Sequence, residues 1–365
     1  MIISILIFIV TLLVLVLIHE FGHFLMAKRF GIKVEEFGFG IPPRVWGKKI
    51  GETLYSINWL PLGGFVKLLG EDEVDMVTVK EDKGRDFRAK SVWQRIIVVV
   101  AGVSMNLVLA WILFYVVIAA QNFKIIYPVS EPAVYILQTQ KDFPAAAAGV
   151  KAGEKLIAVD DTKTADIDQA RKLIKSKNGA PVTLTLSDTE GKNIQKITVT
   201  PKKVDGDTLI GVVFSPIPFR QYLTLSEKLF SGISYSWDLT RLTFAGLGKL
   251  VSQLIYGQFG QASQSVSGPV GLAVVTNEIL TSGGIFQVIL PYLWFVGVIS
   301  LTLAIFNVLP IPALDGGRLF FLIAEAVIHK RIKEDTEKMV HQIGFAALLA
   351  LALLVTFSDV KKLFP

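Results

Sequence analysis

Residues 1–27 read MIISILIFIVTLLVLVLIHEFGHFLMA, and the rest of the fold follows from how this stretch is understood. Its first eighteen side chains carry no charge. About 25 apolar residues, at 1.5 Å each, cross a hydrocarbon core of about 30 Å. There is no basic leader and no small-residue cleavage site, so the stretch reads as a retained transmembrane helix rather than a signal peptide. Inside it stand His19, Glu20 and His23. Residues four apart share a helix face, so both imidazoles reach one ion while Glu20 sits one step round. Two neutral ring nitrogens at that spacing bind Zn2+, and the carboxylate beside them is placed as general base for an attacking water. Ionisable groups are expensive in a membrane helix and mark functional sites. The alternative, histidines merely satisfied in a bundle interior, does not explain three such residues at ligand spacing.

The wider chain agrees with a membrane setting. Of its 365 residues 52% are hydrophobic and 19% charged, with a mean hydropathy of +0.54; soluble domains carry roughly 25% charged residues. Further apolar runs at 95–121, 285–317 and 341–358 predict three more helices. The expected fold is a polytopic α-helical membrane protein of four transmembrane helices. A β-structured cytoplasmic loop occupies 28–94, with strands at 34–39 and 53–69 and a charge-rich solvated loop at 71–90. An α+β domain follows at 122–215, with strands at 182–186 and 194–199 and a helix at 167–175. Residues 216–284 read as helical, and 318–340 as a second cytoplasmic loop. Thirteen Lys and Arg fall between residues 28 and 95 and five between 318 and 338. That bias puts both loops in the cytoplasm and the insert and termini outside, although Lys361 and Lys362 run against it. A net charge of +6 with pI 9.2 suits loops facing an anionic bilayer and excludes nucleic acid as the natural partner. The absence of cysteine rules out disulfides, thiolate ligands and cysteine nucleophiles.

A catalytic zinc needs a third protein ligand and an open position. His329 sits among Lys330, Arg331 and Lys333 and reads as a loop residue, and His341 as a helix-boundary residue. Asp315 ends NVLPIPALDGG, residues 307–317. Its prolines and glycines break a helix and free backbone that must find partners or line a cavity; alone, Asp315 would read as a helix cap. His19 lies about 26 Å along its helix from the outer end. The alternating directions of the spans bring Asp315, Gly102 and Asn106 to that same cytoplasmic half.

His19-Glu20-x-x-His23, Gly102-x-x-x-Asn106 and Asn307-x-x-Pro310-x-Pro312-x-Leu314-Asp315-Gly316 together resemble the site-2 protease family, zinc metalloproteases that cut inside the membrane. The order of elements is similar to the bacterial regulator-of-sigma-E protease group in a form with a single PDZ module at 122–215. Pro144-Ala-Ala-Ala-Ala148-Gly149 through Gly153 to Val159 resembles such a module's core, and Ser267-Gly-Pro-Val-Gly271 also looks like the family's pattern. The resemblance implies a zinc endopeptidase of the bacterial inner membrane acting on single-span substrates such as anti-sigma factors or signal-peptide remnants. It implies His19, His23 and Asp315 as metal ligands and Glu20 as base. Asn307 and Asn106 would hold the substrate backbone or oxyanion, Asn106 alternatively tying helices together. Edge strands around Phe39, Gly40 and Val66 would pair with an extended substrate. The PDZ module would take a peptide C-terminus in a nest near 129–133 or act as a size filter. Two rivals are a non-catalytic PDZ scaffold with a vestigial zinc site and a metal transporter or sensor. Glu20 argues against the first. The second predicts further ionisable residues along a path, of which the other spans offer almost none.

Overall fold

The computed structural model describes residues 2–71, 84–126, 133–188, 191–204, 207–264 and 266–363. In chain order its elements are α1 (Ile2–Arg29), β1 (Val34–Ile50), β2 (Thr53–Leu68), α2 (Val92–Ala120), β3 (Lys124–Ile126), β4 (Tyr135–Thr139), α3 (Pro144–Ala147), β5 (Lys155–Val159), β6 (Thr162–Lys163), α4 (Ile167–Lys175), β7 (Val182–Ser187), β8 (Gln195–Val199), β9 (Lys202–Val204), β10 (Asp207–Leu209), β11 (Val212–Ser215), β12 (Phe219–Gln221), α5 (Leu225–Leu229), α6 (Ser231–Ile255), α7 (Phe259–Gln264), α8 (Pro269–Thr281), α9 (Ile285–Val308), α10 (Asp315–Ile328) and α11 (Glu334–Leu363). They form two units, Met1–Val117 with Thr243–Pro365, and Ile118–Leu242.

In the first unit four stretches are long and apolar enough to cross a membrane: Ile2–Arg29, Val92–Ala120, Gln287–Val308 and Asp335–Lys362. The third helix ends at Val308, at the break that the prolines and glycines of 307–317 imply. Leu309 turns extended, because a residue before proline avoids the helical region and Pro310 and Pro312 cannot extend the ladder. Helix resumes at Asp315, so much of the expected loop 318–340 is α10. The last helix starts at Glu334 rather than 341, since its charged opening is helix-compatible but contributes nothing to an apolar run.

β1 and β2 fold into a hairpin sheet docked on α1. Phe24 meets Phe37 edge-on at 5.4 Å, and Glu52 at the hairpin tip pairs with Lys28 and Arg85, both at 2.6 Å. Phe39 pairs with Gly64 on one side and Ile57 on the other. It therefore lies on an inner strand, which corrects the expectation of an edge there. Among the described pairings, segments 64–68 and 44–50 each have a neighbour on one side only, and Val66 belongs to the first. Residues 72–83 of the expected solvated loop lie outside the described part. The remainder is not solvated throughout, for Phe87 is buried and its N–H donates to the Leu69 carbonyl at 2.8 Å.

In the second unit an antiparallel sheet runs β11-β4-β5-β7-β8, with β6 paired to β5. Val134, Ile136, Leu156, Ala170, Ile174, Leu184 and Leu186 form its buried core. The helix expected at 167–175 is α4, capped by the Asp166 carboxylate, which accepts the Gln169 N–H at 2.7 Å. The stretch expected to be helical from 219 opens instead with β12, paired to β3. Most of the nest expected near 129–133 falls outside the described residues.

Asp160 and Asp161 make the tight β5–β6 turn, both in the left-handed region at φ 47° and 65°. Asp160 also accepts the Thr183 N–H at 2.7 Å and pairs with Lys177 at 2.6 Å. Lys177 first, and then the Thr183 N–H, hold its carboxyl below the usual carboxylate range. A depressed folded-state pKa adds stability above the unfolded value that is lost as pH falls through the folded one. Asp160→Ala should therefore cost about 1–3 kcal/mol in urea unfolding near neutral pH, with the gap from wild type closing below about pH 4.

Candidate metal centre

The 3.6-residue period of α1 stacks His19 and His23 on one face, with ring centroids 4.8 Å apart and edge-on. Their Nε2 atoms are 3.1 Å apart. Asp315 Oδ2 lies 2.8 Å from His19 Nε2 and 3.3 Å from His23 Nε2. A tetrahedral zinc with bonds of about 2.0–2.1 Å places its donors roughly 3.3 Å apart, so the three atoms surround a point that fits this ion. Among the described residues this is the one group of three such side chains close enough to share an ion.

Each ring is turned so that Nε2 faces the site. His23 Nδ1–H donates to the Val98 carbonyl of α2 at 2.9 Å, which leaves the Nε2 lone pair for a metal. His19 Nδ1 faces the buried amide of Asn106, 3.5 Å from Nδ2, while Asn106 Oδ1 has no partner. A half-turn of that amide brings Oδ1 against the His19 Nδ1–H, which it can accept. Asn106 thus orients His19. Ser300 of α9 in turn donates to the Asn106 carbonyl at 2.8 Å.

Backbone makes room for the site. A Cβ at Gly102 would lie 2.3 Å from His23 Nε2 and 2.9 Å from His19 Nε2, and one at Gly22 would lie 2.4 Å from the Ala101 carbonyl oxygen. Asp315 arrives on the first turn of α10 after a tightly folded loop. Gly316 there tolerates no Cβ, which would fall 1.9 Å from the Leu309 oxygen. Ala313 sits at φ 73°, and its N–H donates to His341 Nδ1 at 2.9 Å. In sequence His341 reads as a boundary residue, and no local signal marks its grip on this loop. His329 ends α10 in the left-handed region and is exposed, as a loop residue would be.

Glu20 is half-buried, with its stem against Gly64 at the start of the outer segment: a Cβ there would lie 3.7 Å from Glu20 Cγ. Gly40 serves the backbone, at φ 79° and 2.6 Å from the Leu60 oxygen if it carried a Cβ. Asn307 is half-buried in the last turn of α9, one loop ahead of Asp315. A cavity of about 800 Å³ adjoins Asp315 and is lined by Arg95, Arg318, Glu325 and His341 among others.

Two histidines and an aspartate able to hold one zinc ion, with a carboxylate beside them on an apolar helix, define a membrane-embedded zinc peptidase. The chain belongs to peptidase family M50, whose profile matches residues 7–351. It is 34% identical over 437 aligned positions to the zinc metalloprotease RasP of Geobacillus kaustophilus, across 99% of this chain and 98% of that one. A putative zinc metalloprotease of Clostridium perfringens is 33% identical, with 96% of each chain covered. The regulator of sigma-W protease RasP of Bacillus subtilis is 29% identical, with 98% of each covered. The protein is a zinc metalloendopeptidase and an integral membrane protein.

Two substitutions probe the walls of the site. Gly102→Ala should abolish zinc binding, read as metal per purified chain by elemental analysis. Asn106→Leu should weaken zinc about 10- to 100-fold in chelator competition while the helices remain folded.

Proposed function

We propose that the protein hydrolyses peptide bonds within transmembrane segments of single-span membrane proteins, using His19, His23 and Asp315 to hold zinc and Glu20 as the base. The convergence of three donor atoms from α1 and α10, with Glu20 of α1 beside Gly64 where the outer segment begins, carries this reading. Zinc bound there supplies Lewis acidity and lowers the pKa of water to about 7. Glu20 takes the proton of the attacking water and returns it to the leaving amine. A helical substrate hides its carbonyls, so it must become extended before attack. The outer edge at 64–68, with Val66 at its middle, offers backbone groups for strand addition beside Glu20. The Asn307 amide, one loop ahead of Asp315, would donate to the substrate backbone. Phe39 and Gly40 act indirectly, as the inner strand and the bend that hold that edge.

By likeness to the relative named for sigma-W regulation, membrane-anchored anti-sigma factors are the leading substrate class, with signal-peptide remnants a second. Residues 122–215 serve as a PDZ module that takes a peptide C-terminus or excludes untrimmed substrates. Four long apolar helices support four crossings of a bacterial inner membrane, and the positive bias of residues 28–95 supports an orientation with both termini and the PDZ module outside and the site toward the cytoplasm.

Purified Glu20→Gln should keep zinc at wild-type content and lose cleavage of a single-span substrate in detergent; residual cleavage at the wild-type rate would remove Glu20 as base. Asp315→Asn should lower zinc content. Gly64→Val, whose Cβ would crowd the Gly38 carbonyl at 3.0 Å and Leu17 Cδ2 at 3.2 Å beside Glu20, should lower kcat/KM at least about tenfold at unchanged zinc.

A further inference from the structure

Ser267-Gly268-Pro269-Val270-Gly271 takes no part in the metal centre, yet it opens α8 around a buried carboxylate from the far end of the chain. Asp359 of α11 is 3% exposed. Its Oδ2 accepts the N–H of Gly268 at 2.8 Å and of Gly271 at 2.9 Å. These are donors that a helix start leaves without internal partners, and the helix dipole favours a negative group there. The motif is shaped to admit it. A Cβ at Gly268 would lie 2.7 Å from Val355 Cγ1 and 2.9 Å from Asp359 Oδ2, and one at Gly271 would lie 3.2 Å from the same oxygen. Pro269, first in the helix, has no N–H to satisfy. One turn beyond Asp359, Lys362 donates to the carbonyls of Ser263 and Val266 at 3.0 and 3.1 Å.

α8 carries this contact to α1. Ser4 donates to Asn277 Oδ1 at 2.9 Å, and Leu272, Ala273 and Ile279 pack with Phe8 and Leu15. At its other end α11 meets the Asp315 loop, through His341 and through Gly344, where a Cβ would lie 2.3 Å from Pro312 Cβ. Ile343, Leu349, Leu353 and Phe357 between them are exposed. With a rise of 1.5 Å per residue, His341 and Asp359 stand about 27 Å apart on the helix. α11 is thus a strut: one end rests on the loop that delivers Asp315, and the other, through α8, on the helix that carries His19, Glu20 and His23.

We infer that Asp359 is a positioning residue of the peptidase. By accepting the two glycine N–H groups it fixes α8 on α1 and so sets α1 against Asp315. This rests on the proposed ligand set. The chain has no cysteine, so an engineered Ser4→Cys/Asn277→Cys pair can be closed without side reactions. In purified full-length protein, Asp359→Ala should retain zinc and KM while kcat falls about tenfold or more. Asp359→Asn, which keeps an acceptor oxygen, should stay within about threefold of wild type. The Ser4–Asn277 disulfide should form more slowly in Asp359→Ala and, once closed, should return its kcat to within about threefold of the cross-linked parent. A wild-type kcat in Asp359→Ala, equal loss in Asp359→Asn, or a cross-linked variant that stays slow would each overturn the proposal. Should Asp359→Ala not fold, Gly268→Ala, whose Cβ would lie 2.9 Å from the same oxygen and 2.7 Å from Val355 Cγ1, takes its place with the same expected pattern. The cross-linking rate needs no activity, and zinc loss in Asp315→Asn tests the ligand set separately, so the two readings fail independently.

Discussion

Histidine and aspartate side chains are short, so helices that share one metal ion have to approach nearly backbone to backbone. Lipid gives apolar helices no hydrophobic reason to do so; close packing and polar contacts must hold them. Here glycine also brings α2, which supplies no ligand, against the histidine helix α1, at Gly22 against the Ala101 carbonyl and at Gly102 against both imidazoles. The polar contacts follow from it. Only with α2 in contact does the Val98 carbonyl reach His23 and the Asn106 amide reach His19. Ser300 then ties α9 to the same level of α2, and α9 leads directly into the Asp315 loop.

That loop solves a second problem. An aspartate meeting two histidines must come from a helix that stops and restarts within a few residues, with its free N–H groups partnered away from water. Pro310 and Pro312 remove donors that would otherwise need partners, Gly316 and Gly317 let the new helix begin against the old, and His341 takes the N–H of Ala313. The left-handed Ala313 is the kind of backbone strain that persists where surrounding contacts over-determine the conformation. The hairpin sheet needs no such device. Aromatic packing of Phe37 and Tyr55 on Phe24 and the ion pairs of Glu52 set it beside α1, and its outer segment starts at Glu20.

Much of the protein can be read in one dimension because its signals are local. Apolar runs mark the long helices, since crossing lipid is a matter of length and composition. The spacing of His19, Glu20 and His23 states a shared face because an α-helix repeats every 3.6 residues. The proline and glycine pattern around Asp315 announces a break, although the resumption of helix as α10 is masked by the polar residues beyond it. Alternation found β7 and β8, and the amphipathic run at 167–175 found α4 to the residue.

Neighbours across the chain were decided only by the tertiary structure. A strand's sequence says which faces are apolar, but not whether it lies at an edge, so Phe39 came out flanked on both sides while Val66 lay outermost. The amide that orients His19, the imidazole that grips the Asp315 loop and the carboxylate that caps α8 act over separations of 87, 28 and 91 residues. Hydrogen bonds reach about 3 Å and leave no periodic trace in a sequence. Sequence alone therefore supplied the candidate ligands and the apolar helices they sit in, and packing determined which groups stand behind them.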